Sequence, residues 1–315
     1  MNLLRLPFVV LIDIFKSIDF REKFLISLLS KRARKTLKLT CVIPHLTFNQ
    51  KRFLQIHAGT LTSDSIPAVT SKWDYLIEGM IMTLGFYSDG IVLLEREQSI
   101  EKQLLLANYV LNIFRKPTIS LKFHYRTRSA LALSFIKMTN ERQLSITSVT
   151  SRVLGRSAYF IPEFLDECCD VTDFISIFLF SGHDSVYTPS RPFKVAKFHV
   201  HGESNRLDLE KFMSCRTIAV RISKYRSWTV QYLNSFFTNW MDSDVQLENL
   251  TFCFKEESAN QAIMNALNNQ GAHRTLDNHW IEVNRENGPE FFFRKTSKSI
   301  RIYTKQAYAE LLNVE

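Results

Sequence analysis

His199 and His201 stand two apart in KFHVHG (197–202), a run that reads as a β-strand, so both rings project from one side. Two imidazoles so placed are half of a tetrahedral metal site. No Asp, Glu or Cys at ligand spacing completes the set, and the two rings read as part of a solvated strand face. Cys168 and Cys169 form the second reactive pairing; they end a helical run and face two directions. A nucleophilic thiol there needs a base that the fold would have to bring in. The chain has no glycine-rich phosphate loop, no HExxH, no GxSxG and no kinase set. These absences point to a non-catalytic protein with no cofactor and no metal.

The third chemical feature is KRARK (31–35), which has the composition of a phosphate-binding or nuclear-localisation run. It reads also as the solvated end of a helix. A nucleic-acid binder interleaves basic and aromatic residues along one face, whereas here charge falls almost to neutral where the aromatics of 174–293 concentrate. Nucleic-acid binding is thus the alternative reading, beside a protein-interaction module that engages no ligase.

Charge is unevenly placed along the 315 residues. Nine lysines and arginines against three carboxylates give residues 1–40 a net +6 of the total +9, leaving +3 for the rest. Such a cluster suits a nucleic acid, an anionic membrane or an acidic protein. The apolar run LRLPFVVLIDIF is interrupted by Arg5, Pro7 and Asp13 and is followed by no A-x-A site, so it does not read as a secretion signal. No stretch reaches the roughly 18 apolar residues of a membrane span. Five cysteines without a CxxC pair fit a reducing setting, giving an expected intracellular location, cytoplasmic or nuclear.

The elements that open the chain are three short helices. Pro7 suits a first helical position, and Leu11, Ile14, Phe15 and Ile18 recur on one face. Asp19 with Glu22 predicts a capping box opening a second helix, whose stripe is Phe24, Leu25, Leu28 and Leu29. Ser30 caps a third, KRARKTLKL. The first helix is apolar on almost every side, more than three short helices can bury among themselves.

Leu6-Pro7, then Leu11, Ile14-Phe15 and Ile18, then FREKFLISLLSKRARKTLK, resembles the F-box, in particular that of the large nematode-type family that continues into an F-box-associated domain. The resemblance implies docking on the acidic Skp-type adaptor of a cullin–RING ubiquitin ligase, with the rest of the chain presenting a protein substrate. It places the adaptor contacts at Leu6, Pro7, Leu11, Ile14, Phe24, Leu28, Ser30 and Lys31. Val9 stands where many F-boxes carry a carboxylate, and no tryptophan follows Lys31.

Beyond the box, RFLQIH and DGIVLLER read as strands and residues 99–114 as an amphipathic helix. From about residue 118 strand-like and helix-like runs alternate: ISLKFHY and ALALSFIKM, LSITSV and AYFIPEFLDECC, KVAKFHVHG and LDLEKFM, TIAVRI and TVQYLNSFFTNWM, LENLTFCF and ANQAIMNALNN. Strand starts fall about 20–30 residues apart, the period of one strand and one helix per repeat. The expected class is α/β: a three-helix segment over 1–40 followed by a degenerate leucine-rich-repeat-like solenoid over 41–315. An ordinary α/β sheet shows the same alternation. HWIEVNR, FFFRKT and SIRIYT read as closing strands, and KQAYAELLN as a last helix.

A second resemblance covers about 197–255, where Asn234, Ser235, Phe236, Trp240, Leu247 and Leu250 are similar to the second type of nematode F-box-associated domain. Phe236 and Trp240 share a helical face and read as core. The loop 181–193 is the expected substrate surface.

Overall fold

A computed structural model describes the chain except residues 1–5, 61–68, 70, 88, 96–98, 153–159, 180–186, 203–206, 223–227, 255–259, 277–278, 286–287 and 314–315. It is mixed α/β and divides into two compact units, Met1–Val153 and Leu154–Glu315. The division expected at 40/41 is a helix-to-strand junction inside the first unit.

The first unit begins with α1 (Phe8–Ser17), α2 (Phe20–Leu29) and α3 (Lys31–Thr40), followed by β1 (His45–Gln50), β2 (Leu54–Ala58), β3 (Ser71–Ile77), β4 (Met80–Tyr87), β5 (Gly90–Leu93), α4 (Ile100–Ile113), β6 (Thr118–Phe123), α5 (Ser129–Glu141) and β7 (Ile146–Ser151). Its strands run β7-β6-β1-β2-β5-β4-β3, parallel from β7 to β1 and antiparallel beyond. β3 and β4 were not expected from sequence. They form a hairpin whose two-residue turn, Glu78-Gly79, has both φ values positive (48° and 87°), the geometry that matches strand twist.

The caps form as spacing required. Asp19 accepts from the Glu22 backbone N–H at 2.7 Å while the Glu22 carboxylate accepts from the Asp19 N–H at 3.1 Å. Ser30 Oγ accepts from the Ala33 N–H at 3.0 Å. The helices pack on their own unit: the Phe24 ring lies 6.0 Å from Phe86 of β4 and 5.8 Å from Tyr109 of α4, and Phe20 lies 5.7 Å from Phe114. Ser27 Oγ and the Tyr109 hydroxyl are 3.1 Å apart. Arg34 of α3 pairs with Glu78 at the hairpin turn and lies over the Tyr109 ring at 4.8 Å.

The second unit holds α6 (Phe160–Glu167), β8 (Phe174–Leu179), β9 (Lys197–Gly202), β10 (Thr217–Ile222), α7 (Val230–Asp242), β11 (Asn249–Phe254), α8 (Gln261–Asn268), β12 (Ala272–Thr275), β13 (Trp280–Asn284), β14 (Phe291–Lys295), β15 (Ser299–Thr304) and α9 (Lys305–Leu312). β8, β9, β10 and β11 are parallel neighbours in chain order, and β15, β14, β13 and β12 continue antiparallel. The run LDLEKFM, expected as a helix, forms only a 3-10 turn over Leu209–Phe212.

Strict alternation in β9 to β11 separates two faces. Phe198, Val200, Ile218, Val220, Ile222, Leu250, Phe252 and Phe254 are buried on one. That face carries the helices: Phe237 of α7 lies edge-on to Phe252 at 6.4 Å, and Phe212 contacts Phe198 at 4.7 Å. Trp240 and Phe236 are both buried, and Trp240 Nε1 donates to the Leu247 carbonyl at 2.6 Å. The match residues of the second resemblance thus include a helix-to-strand clamp.

Replacing the fully buried Phe24 leaves a void between α2, β4 and α4, so Phe24→Ala is expected to destabilise the first unit by roughly 3–5 kcal/mol. Urea unfolding followed by circular dichroism checks this, and an unchanged midpoint would contradict the packing.

Candidate functional site

The reactive residue types singled out from sequence are structural. His199 meets Phe174 edge-on at 4.9 Å and His201 stacks on Phe178 at 4.5 Å, both on the polar face of β9. Among the described residues no group of three His, Cys, Asp or Glu is placed to hold a metal ion. Burial lowers the His199 pKa, with Lys197 adding to the effect, so the ring is neutral near pH 7. Cys168 and Cys169 are fully buried. Burial pushes the Cys168 thiol far up and Cys169 up to about 11, while Cys169 Sγ donates to the Leu165 and Arg191 carbonyls at 3.6 Å. Neither is a nucleophile near neutral pH. Of the loop 181–193, residues 181–186 lie outside the described residues. The remainder is anchored, with Tyr187 and Phe193 buried and the Tyr187 hydroxyl donating to Asp166 at 2.8 Å.

What the N-terminal helices offer is surface. The rings of Phe24 and the side chain of Leu11 are buried inside the unit; Leu6, Ile14 and Leu28 are half-buried; Pro7, Ser30 and Lys31 are exposed. Ser30 is also the α3 cap. The eight residues therefore do not form one accessible set: Leu11 and Phe24 hold the helices in place, and the other six are reachable. Beside them the first turn of α1 exposes Phe8 at 49%, Val9 at 70% and Val10 at 42%, and Leu29 ends α2 at 75%. Sequence reasoning identified the excess of apolar surface and spread it over Leu3, Leu4, Leu6, Phe8, Val9, Val10, Leu11, Ile12, Ile14 and Phe15. The structure places it at the start of α1, immediately after Pro7. A cleft of about 210 Å³ between Phe15, Lys16, Lys23, Thr40, Cys41 and Val42 adds a basic rim near the end of α1.

In the second unit the polar face of the sheet is a surface that sequence did not reveal. Lys197, Arg221 and Arg301 are exposed on it, and His199, Thr251, Cys253 and Arg294 are half-buried. α9 covers one end, with Tyr308 stacked on Phe292 at 4.1 Å and against Trp280 at 5.0 Å. A shallower cleft of about 310 Å³ lies near the start of α9, lined by Trp240, Leu247, Glu290 and Lys305 among others. Lys305 is raised through its pairing with Glu290 at 2.8 Å, as in a surface ion pair. No helix among the described residues is long and apolar enough to cross a membrane. Compared with known proteins, the chain matches no family model, no curated protein and no solved structure.

Two outcomes follow from this arrangement. In the native protein at pH 7.5, iodoacetamide should label Cys253, which is half-buried, before Cys168, Cys169 and Cys215, which label only on unfolding; mass spectrometry showing early labelling of Cys168 would contradict the burial. Arg294 sits directly across from Arg301, so Arg294→Glu replaces a like-charge pair with an opposite one. It should raise stability by roughly 0.2–1 kcal/mol in urea unfolding at low salt.

Proposed function

We propose that this chain is the substrate-recognition subunit of a Skp–cullin–F-box type ubiquitin ligase, acting inside the cell in the cytoplasm or nucleus. The helices α1 to α3 would dock on the Skp-type adaptor, and the second unit would select a protein substrate. The observation that carries this reading is the first turn of α1: Phe8, Val9 and Val10 follow Pro7 in the open, although the same three-helix segment packs its Phe24 and Leu11 firmly inside the unit. Exposed apolar side chains gathered at one helix end are an interaction surface in search of cover. Lys31, Lys35 and Lys38 of α3 are exposed as well and suit an acidic partner.

The chain would contribute no bond-making chemistry. Holding a substrate beside a ligase-bound ubiquitin carrier converts a bimolecular encounter into a local one, and rate rises with effective concentration. The histidines packed against phenylalanines and the high-pKa thiols Cys168 and Cys169 fit such a passive role. For the second unit we read a degenerate leucine-rich-repeat-like solenoid. Parallel sheets wound with helices on both sides bury both faces, whereas β9, β10 and β11 follow chain order and keep one face polar. A one-sided stack of strand-helix repeats has this property and presents an extended binding surface.

The double variant Leu6→Ala with Pro7→Ala should reduce retention of the full chain on an immobilised Skp-type adaptor at least tenfold, a change of about 1.4 kcal/mol, with an unchanged circular dichroism spectrum. Retention equal to the wild type, or a wild type that the adaptor does not retain, would overturn the proposal.

A further inference from the structure

β3 is the last strand of the first unit's sheet, and among the described residues no strand pairs with its outer edge. The two-residue turn at Glu78-Gly79 makes Ile77 and Met80 a hydrogen-bonded pair, so alternation turns the backbone N–H and C=O groups of Lys72, Asp74 and Leu76 outward. Thr83, directly across from Asp74, agrees with this: its carbonyl accepts from the Leu94 N–H at 2.8 Å and its N–H donates to Glu95 at 3.2 Å, so its backbone groups serve the segment after β5 and not β3. β3 has seven residues, no proline and an unbroken register with β4. It leaves Trp73 65% exposed and Leu76 69% exposed, with Ile81 across from Leu76 at 64%. An open edge strand with apolar side chains is a template for another strand. The edge is ordered in advance, because Arg34 pairs with Glu78 at the turn and Tyr75 meets Phe86 edge-on at 5.7 Å.

We propose that β3 pairs antiparallel with β3 of a second copy of this chain, about a two-fold axis at Trp73. Hydrogen-bonded pairs across such an interface can join only residues whose backbone groups point outward, and the registers of greatest overlap are then centred on Trp73, Asp74 or Tyr75. Centring on Asp74 sets two carboxylates against each other. Centring on Tyr75 sets Asp74 against Leu76, and Lys72 against the turn residue Glu78 that Arg34 already holds. Centring on Trp73 sets Lys72 against the partner's Asp74 and Asp74 against the partner's Lys72, two opposite-charge cross-strand pairs. Both side chains are exposed, and Asp74 accepts from Thr83 Oγ1 at 2.7 Å, which leaves its carboxylate room for an ammonium. Trp73 then meets the partner's Trp73 at a non-hydrogen-bonded position, where Cα atoms are about 4.5 Å apart and aromatic pairs are favourable. A two-fold interface requires contacting residues to exchange roles between copies, and Lys72 and Asp74, one residue either side of Trp73, do so. That self-complementarity selects a second copy over an unrelated extended peptide. The inference is independent of the receptor reading, since it uses neither α1 nor the second unit.

The test is sedimentation velocity of the full chain over a range of concentrations at low salt, where exposed charges are least screened. The wild type is expected to form a dimer as concentration rises. Lys72→Glu and Asp74→Lys, each alone, should weaken it at least about tenfold, because each variant turns both cross-strand pairs into like charges. Mixing the two variants in equal amounts should restore the dimer, since the mixed pair again sets opposite charges across both positions. Trp73→Ser should weaken the dimer as well, and all three variants should keep the wild-type circular dichroism spectrum. Single variants that dimerise as well as the wild type, or a mixture that stays monomeric, would overturn the proposal. A wild type that is monomeric throughout would also overturn it, leaving the edge to a strand of a different protein.

Discussion

The placement of Phe24 among Phe86 and Tyr109 governs what the N-terminal helices can do. That ring cluster, with the Ser27 contact to the Tyr109 hydroxyl and the Arg34 pairing to Glu78, ties α2 and α3 to the hairpin and to α4 of the same unit. One side of the three-helix segment is thereby used up as core. What remains for any other molecule includes Pro7, Phe8, Val9 and Val10 at the entry to α1, Leu29 where α2 gives way to α3, and Leu39 and Val42 where α3 ends. The segment is thus part of the folded body of the first unit, with one side in its core and the start of α1 open.

In the second unit the governing constraint is alternation along parallel strands. Because Ile218, Val220 and Ile222 all turn to the helices, Thr217, Ala219 and Arg221 must turn away, and the same holds for β11. The helix side is sealed by aromatic packing, from Phe198 with Phe212 to Phe237 with Phe252. The other side gathers polar and basic groups by default, and α9 covers one end of it. Reactive residue types fall into this scheme as packing units: histidines lie against phenylalanines, and thiols are buried deeply enough to hold their protons.

Much of this was legible. TIAVRI and LENLTFCF carried period-two alternation, and Asp19, Glu22 and Ser30 carried cap chemistry, so elements governed by local physics appeared where the spacing put them. Two kinds of feature did not. LDLEKFM has helix spacing but only four residues between its Asp208 cap and Met213, too few for more than a 3-10 turn. β3 has no alternating burial, with Lys72, Trp73 and Asp74 exposed in succession, so only the Gly79 turn marked its hairpin. The facing of Arg294 and Arg301 was beyond a linear reading as well, because register between strands is a property of the assembled sheet. So was the division of the eight adaptor-type residues into two buried anchors and six accessible ones.

The most direct measurement is hydrogen–deuterium exchange of the full chain, alone and with a Skp-type adaptor. The account predicts that amides of α1 exchange quickly in the free chain and slow on adding the adaptor, while β10 and β11 are protected throughout. An α1 already as protected as β11 in the free chain, or one whose exchange the adaptor leaves unaltered, would contradict it.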